Sequence, residues 1–281
     1  MSRRGAMIEG LKDQISRMML QRPHSRELLA SYEALLGILQ GVKPSIPDPT
    51  IDSKIVEMKQ KEGFPLFSRE DLPIDLDSAS KALRWFFLHL SGKQDRLEKA
   101  FNEISRRLQE DENLAEQLYS AVLARDMAAL QEIAKQWGLP SSMLYFLAIT
   151  SLKPSLSVIR EKCRPLLSME DWEQGYCPLC GSEPYMAYFD KKGKRHLHCE
   201  LCGTEWAYPR VKCPFCQNED QDTLGYFEPE EEEGLRVYFC KRCVRYIKTI
   251  DRRAFEKETP MDLEYLATLH LDILAEEEGF K

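Results

Sequence analysis

The sequence predicts an α+β chain with an all-α N-terminal domain over residues 1–170, two small four-cysteine β modules over 171–209 and 210–253, and a C-terminal helix over 254–281. Three observations predict it. Apolar residues recur at three- and four-residue steps through most of the first 170 positions, the period of one helix face. All nine cysteines lie between Cys163 and Cys243, and eight of them form Cys-x-x-Cys pairs. The 281 residues are 43% hydrophobic and 30% charged, which is enough apolar material for a sizeable core and is not the composition of a disordered chain.

Taken in chain order, Leu28, Leu29, Tyr32, Leu35, Leu36 and Leu39 place a helix from near Ser25 to a stop at Gly41 and Pro44. Residues 42–67 hold Pro44, Pro47, Pro49, Gly63 and Pro65 and read as a connector around one short helix near Ser53–Lys61. Ala79, Ala82, Leu83, Phe86 and Leu90 mark the next apolar stripe. Leu97, Phe101, Ile104 and Leu108 mark another after a break at Ser91-Gly92. Asp126 can cap a helix through Met127, Leu130, Ile133 and Trp137 that ends at Gly138. From Ser141 to Leu167 the chain is apolar all round, as in a central core helix, with Pro154 expected to kink or split it. Residues 171–253 show little helical period. Thr259-Pro260-Met261-Asp262 then resembles a capping box leading into one closing helix through Leu263, Leu266, Leu269 and Ile273.

Trp85-Phe86-Phe87-Leu88-His89-Leu90 falls well short of the roughly 18 to 20 unbroken apolar residues that cross a bilayer. Met1-Ser2-Arg3-Arg4-Gly5 has a basic start, but Glu9, Lys12, Asp13 and Arg17 break up any apolar run behind it, so neither a secretory nor a twin-arginine signal is expected. A cytoplasmic location is the expectation. The net charge of −7 opposes non-specific attraction to nucleic acid or anionic lipid and favours a protein partner or small ligand.

The cysteine pairs are Cys177-Pro-Leu-Cys180, Cys199-Glu-Leu-Cys202, Cys213-Pro-Phe-Cys216 and Cys240-Lys-Arg-Cys243. A two-residue spacing lets one tight turn aim both sulfurs at one ion, so each knuckle is half of a tetrahedral site. Eighteen residues separate the first two knuckles and 23 the last two, enough for a hairpin between half-sites, but only ten lie between the second and third. Consecutive pairing follows: Cys177, Cys180, Cys199 and Cys202 as one metal site, and Cys213, Cys216, Cys240 and Cys243 as the other. Spacing alone leaves an interleaved pairing open. Gly193 in the basic tip Lys191-Lys192-Gly193-Lys194-Arg195, between strand-like Tyr185–Phe189 and Leu197, is a hairpin signal. Glu230 to Gly234 plays the same part between Leu224–Phe227 and Val237–Phe239. Cys-Pro-x-Cys-Gly at Cys177–Gly181 is shared by zinc ribbons and rubredoxin-like iron sites, so two metal ions are expected, Zn or Fe. Four thiolates saturate a tetrahedral ion and leave no open position for catalysis.

His196 and His198 flank the second knuckle, yet a complete four-sulfur site needs neither, and strand residues are expected. Cys163 reads as a small core residue, and the acidic run Glu230–Glu233 as a solvated hairpin tip. Trp206, Tyr208 and Tyr226 could stack bases, but residues 171–253 hold 13 Lys or Arg against 15 Asp or Glu, so core filling is expected instead. The chain contains no nucleophile elbow, phosphate loop or zinc-protease helix, and a binding protein rather than an enzyme is expected.

Tyr176-Cys177-Pro178-Leu179-Cys180-Gly181-Ser182, Leu197-His198-Cys199-Glu200-Leu201-Cys202-Gly203-Thr204-Glu205-Trp206 and Tyr246-Ile247-Lys248-Thr249-Ile250-Asp251 make the chain similar to the formate dehydrogenase accessory proteins, FdhE. The resemblance extends to Gly63-Phe64-Pro65-Leu66, Leu72-Pro73-Ile74-Asp75 and Leu269-His270-Leu271-Asp272-Ile273-Leu274-Ala275. It implies a helical domain followed by two rubredoxin-like modules. It also implies a cytoplasmic protein that acts on the catalytic subunit of respiratory formate dehydrogenase before export, without being a subunit itself. All eight paired cysteines match the family's metal positions. A rubredoxin-like redox or electron-transfer protein and a nucleic-acid-binding zinc-ribbon protein are the alternative functions.

Overall fold

Helices form where the apolar stripes and caps place them, and also over residues 3–21 and 112–124. The computed structural model describes residues 3–91, 97–169, 171–230 and 232–281. Met1 and Ser2 of the basic start, Gly92 of the Ser91-Gly92 break and Glu231 of the acidic run lie outside the described residues. The helices are α1 (Arg3–Gln21), α2 (Arg26–Leu39), α3 (Ser53–Lys61), α4 (Leu76–Ser91), α5 (Glu98–Glu110), α6 (Glu112–Ala124), α7 (Met127–Trp137), α8 (Ser141–Cys163), α9 (Met261–Ala267) and α10 (His270–Glu277). Between α8 and α9 run six strands: β1 (Pro184–Phe189), β2 (Arg195–Cys199), β3 (Glu205–Ala207), β4 (Leu224–Phe227), β5 (Leu235–Cys240) and β6 (Arg245–Asp251). The chain is α+β. It gathers into two compact units, one of Met1–Ala34, Glu57–Pro65 and Leu167–Lys281, the other of Leu35–Val56 and Leu66–Leu166.

The second unit is helical. Asp111 and Asp126 cap α6 and α7 by accepting from the N–H groups of Asn113 and Ala129, and Gly138 ends α7 in the left-handed region. Phe87 is fully buried against Phe101 and Trp137, with ring centroids 5.8 and 6.2 Å away. Pro154 does not split α8, which runs unbroken through it. Proline in a helix interior costs about 3 kcal/mol, but Leu152 and Leu156 on either side are buried, each contributing about 1.5–3 kcal/mol. Packing therefore outweighs the lost N–H. By length and mean hydropathy (1.3) the segment Ser141–Leu166 could cross a membrane, although no unbroken apolar run predicted it; half of that window is buried within the protein.

The first unit is built on one mixed sheet of strand order β3-β2-β1-β6-β5-β4. Each ribbon supplies three antiparallel strands. Parallel pairing of β1 with β6, Met186 opposite Lys248 through Phe189 opposite Asp251, merges the two ribbons into one sheet. One face buries Met186, Tyr188, Leu235, Val237 and Ile250 against Met261, Leu271 and Ala275 of the closing helices. Arg22, just after α1, donates to Glu264 of α9 at 2.8 Å, with both side chains buried.

The closing segment differs from the single helix expected, because α9 ends at Ala267 and α10 starts at His270. Lys248 of β6 explains the break. Its buried ammonium donates to the carbonyls of Tyr265 and Thr268 and to Asp272 Oδ2 at 2.7 Å, which satisfies the carbonyls left over at a helix end. Burial pulls the Lys248 pKa down, and Asp272 opposes that pull.

Candidate metal centres

Each knuckle is a closed turn. The N–H of Cys177 donates to Ser182 O, that of Cys199 to Thr204 O and that of Cys213 to Asn218 O, at 2.8–2.9 Å. The residue after the second cysteine takes the left-handed conformation in all four: Gly181 (φ 70°), Gly203 (φ 67°), Gln217 (φ 59°) and Val244 (φ 58°). Glycine adopts it without cost in the first two. Outside glycine it costs about 1–2 kcal/mol, so the second pair of knuckles stores strain that the first pair does not. The order knuckle, two strands, knuckle, strand is the same in both ribbons.

These turns bring the eight predicted cysteines together as two groups by consecutive pairing, Cys177, Cys180, Cys199 and Cys202, and Cys213, Cys216, Cys240 and Cys243. In the first, Cys180 Sγ lies 3.5 Å from Cys199 Sγ and from Cys202 Sγ, and Cys177 Sγ lies 3.5 Å from Cys202 Sγ. In the second, the Cys213–Cys243 and Cys216–Cys240 separations are both 3.7 Å. Four sulfurs each about 2.3 Å from a central ion would stand about 3.8 Å apart, whereas a disulfide would need about 2.05 Å. Both donor sets therefore fit a tetrahedral four-thiolate ion and could hold one each. Sulfur ligands of this kind suit zinc and iron alike.

The electrostatics agree with a need for a cation. Burial pushes the Cys177 and Cys199 thiols well up, whereas at Cys180 the same burial is outweighed by hydrogen bonds from the neighbouring thiols and Ser182, which pull it well down. Four thiolates gathered at this spacing require positive charge among them. At the second site burial pushes Cys213 up. It pushes Cys240 up as well, but the N–H groups of Cys243 and Arg242 and the Asn218 amide bring that thiol down to about 7.

The two centres differ in access. All four cysteines of the first are buried, at 0–3% exposure, whereas Cys216 and Cys243 of the second are half-buried. Pro65 packs on Gly181, and the Tyr176 hydroxyl donates to Gly63 O at 2.6 Å, so the connector string Gly63-Phe64-Pro65 closes over the first knuckle. The ten-residue link between the centres is held by Arg195, whose buried guanidinium donates to the carbonyls of Pro209, Arg210 and Lys212. Burial lowers its pKa to about 10. At Gly175 the backbone passes so near the third knuckle that a Cβ would lie 1.8 Å from Pro214 O.

Of the other residues singled out, His196 stacks on Tyr188 and meets Asp190, and His198 lies against Tyr185. Neither belongs to a cysteine group. Cys163 is buried in α8. Trp206 and Tyr208 fill the core, but Tyr226 is half exposed and stacks on Tyr238 at the surface. Three polar neighbours of the sulfurs were not foreseen. Ser182 Oγ is 3.3 Å from Cys180 Sγ, Thr204 Oγ1 is 3.1 Å from Cys202 Sγ, and Asn218 Nδ2 is 3.6 Å from Cys240 Sγ. Each stands two residues after the second cysteine of its knuckle, a repeat that the sequence does contain.

Residues 176–210 match the family model described as FdhE, central domain. "Protein FdhE homolog" of Aquifex aeolicus (strain VF5) is 39% identical over 147 residues, covering 51% of each chain. "Protein FdhE" of Salmonella paratyphi A is 34% identical over 171 residues, 59% of this chain and 51% of that one. The chain thus spans about half the length of these curated relatives. The crystal structure of the FdhE protein from Pseudomonas aeruginosa has the same fold, with a TM-score of 0.68 over 96% of this chain and 90% of that one at 21% identity.

Proposed function

We propose, from the match of residues 176–210 to the FdhE central domain and the likeness to curated FdhE proteins, that the protein is a maturation factor for respiratory formate dehydrogenase. It binds the catalytic subunit in the cytoplasm, before export, and does not turn over formate itself. The observation that carries the reading is the saturated character of the two four-cysteine groups in a chain whose residues 176–210 match the FdhE central domain. Four sulfurs leave a tetrahedral ion no open position, so an ion there, Zn or Fe, serves to fix the ribbons. Two ribbons joined through β1 and β6 form one sheet with a basic tip at Lys191–Lys194 and exposed acidic residues Glu230 and Glu233 at the other hairpin. Opposed charge of this kind orients a protein partner.

Deleting the gene from formate-grown cells should abolish respiratory formate dehydrogenase activity while the enzyme's transcript stays level, and Cys199→Ser or Cys213→Ser should fail to restore it. Full activity in the deletion strain would end the proposal. One observation favours a second reading, electron transfer: Cys216 and Cys243 of the second centre are half-buried, within reach of a redox partner. That reading requires a visible absorption spectrum that bleaches on reduction.

A further inference from the structure

Outside the two cysteine groups, His24, Glu232 and His270 converge. His24 lies in the short 3-10 turn Pro23–Ser25, Glu232 in the β4–β5 connection, and His270 opens α10. One ligand atom from each lies within 4.8 Å of the other two. His270 Nε2 stands 2.6 Å from Glu232 Oε2, and the two imidazole rings meet edge-on with centroids 4.5 Å apart. We propose that these three side chains form a third site, which takes a divalent transition-metal ion through two imidazoles and one carboxylate.

Three features carry it. His24 Nε2 is 3.2 Å from Ala267 O. A carbonyl oxygen only accepts, so Nε2 holds the proton and Nδ1 presents its lone pair, the arrangement in which an outer hydrogen bond orients a ligating imidazole. His270 presents Nε2 to Glu232 Oε2, and its Nδ1, buried with no hydrogen-bond partner among the described residues, can take the ring proton when Nε2 ligates the ion. Bonds of about 2.0–2.2 Å to nitrogen and oxygen require ligand atoms roughly 3.3–3.5 Å apart, so the His270–Glu232 pair opens by less than an ångström and the other separations contract by not much more than one. The exposed side of His24 leaves room for water on the ion. Two nitrogens and one carboxylate suit Zn²⁺, Fe²⁺ or Co²⁺ rather than Ca²⁺.

The test uses the full chain with both cysteine sites already filled, dialysed against micromolar Zn²⁺. One further equivalent should bind, and His24→Asn and Glu232→Gln should each weaken it at least tenfold while the thiolate-held metal stays. Co²⁺ separates this site from the other two, because an ion bound by imidazole and carboxylate lacks sulfur-to-metal charge-transfer absorption. No further equivalent, or one that survives both substitutions, would overturn the proposal. Since His24 is exposed and Glu232 lies in a hairpin connection, both variants should fold, and an unchanged far-UV spectrum checks that they do.

Discussion

Arg22→Met removes one half of a buried ion pair and so tests whether the N-terminal segment is built into the same body as the sheet. Arg22 donates to Glu264 Oε2 at 2.8 Å, with the side chains 9% and 5% exposed. The other carboxylate oxygen has only the Thr259 hydroxyl. Without Arg22 a carboxylate remains buried with one neutral donor, and breaking a pair of this kind costs about 3–5 kcal/mol. At roughly 2–4 °C per kcal/mol for a body of 150–250 residues, the melting temperature should fall by about 6–20 °C. The double variant Arg22→Met, Glu264→Leu replaces both charges by apolar groups and should recover most of that loss, because such exchanges are often close to neutral. Urea or thermal unfolding followed by circular dichroism supplies the cycle. A cost under about 1 kcal/mol, the worth of an exposed pair, or a double variant as unstable as the sum of the singles, would refute the reasoning.

Further consequences concern the centres and the sheet. With both sites loaded, a chelator should strip the second centre first, since Cys216 and Cys243 are half-buried while the first centre is enclosed; release in the opposite order, followed by metal analysis, would contradict this. Gly175→Ala should disturb the second ribbon, because its Cβ would lie 1.8 Å from the backbone oxygen of Pro214, a clash that no side-chain rotation relieves; a fully loaded, equally stable variant would count against it. Asp251→Asn should cost about 1–2 kcal/mol at neutral pH. Hydrogen bonds and charge from Arg253, with burial opposing, hold the Asp251 carboxyl below its ordinary value. Its contribution is therefore present above the unfolded value of about 3.9 and lost as pH falls through the lower folded one. The gap between variant and parent should close below about pH 4; a gap unchanged at about pH 3 would rule the pairing out.

Much of this was legible where the signal is local. Asp126 and Gly138 bracket α7 because capping depends on neighbouring residues only, and the short helix Ser53–Lys61 stands between its prolines as read. Consecutive pairing of the knuckles was favoured by the short ten-residue link and the two hairpin signals, although spacing alone left an interleaved pairing open. What escaped depends on distant partners. Nothing in the alternation of β1 or β6 says that these two strands pair in parallel, because period two fixes a strand's faces and not its neighbour. Nothing local to Lys248 says that its ammonium is buried and ends α9 early. Pro154 looked like a break, but buried leucines on both sides outweigh it. His24 and His270 stand too far apart for any spacing motif.

The most direct test of the account is association. Full-length protein with both cysteine sites loaded, mixed under reducing, anaerobic conditions with the isolated catalytic subunit of a respiratory formate dehydrogenase, should form a complex that elutes as one species in size-exclusion chromatography. Cys199→Ser or Cys213→Ser should weaken that complex, since each loosens a ribbon that presents the surface. Separate elution of the two intact, metal-loaded proteins at micromolar concentration would contradict the maturation role.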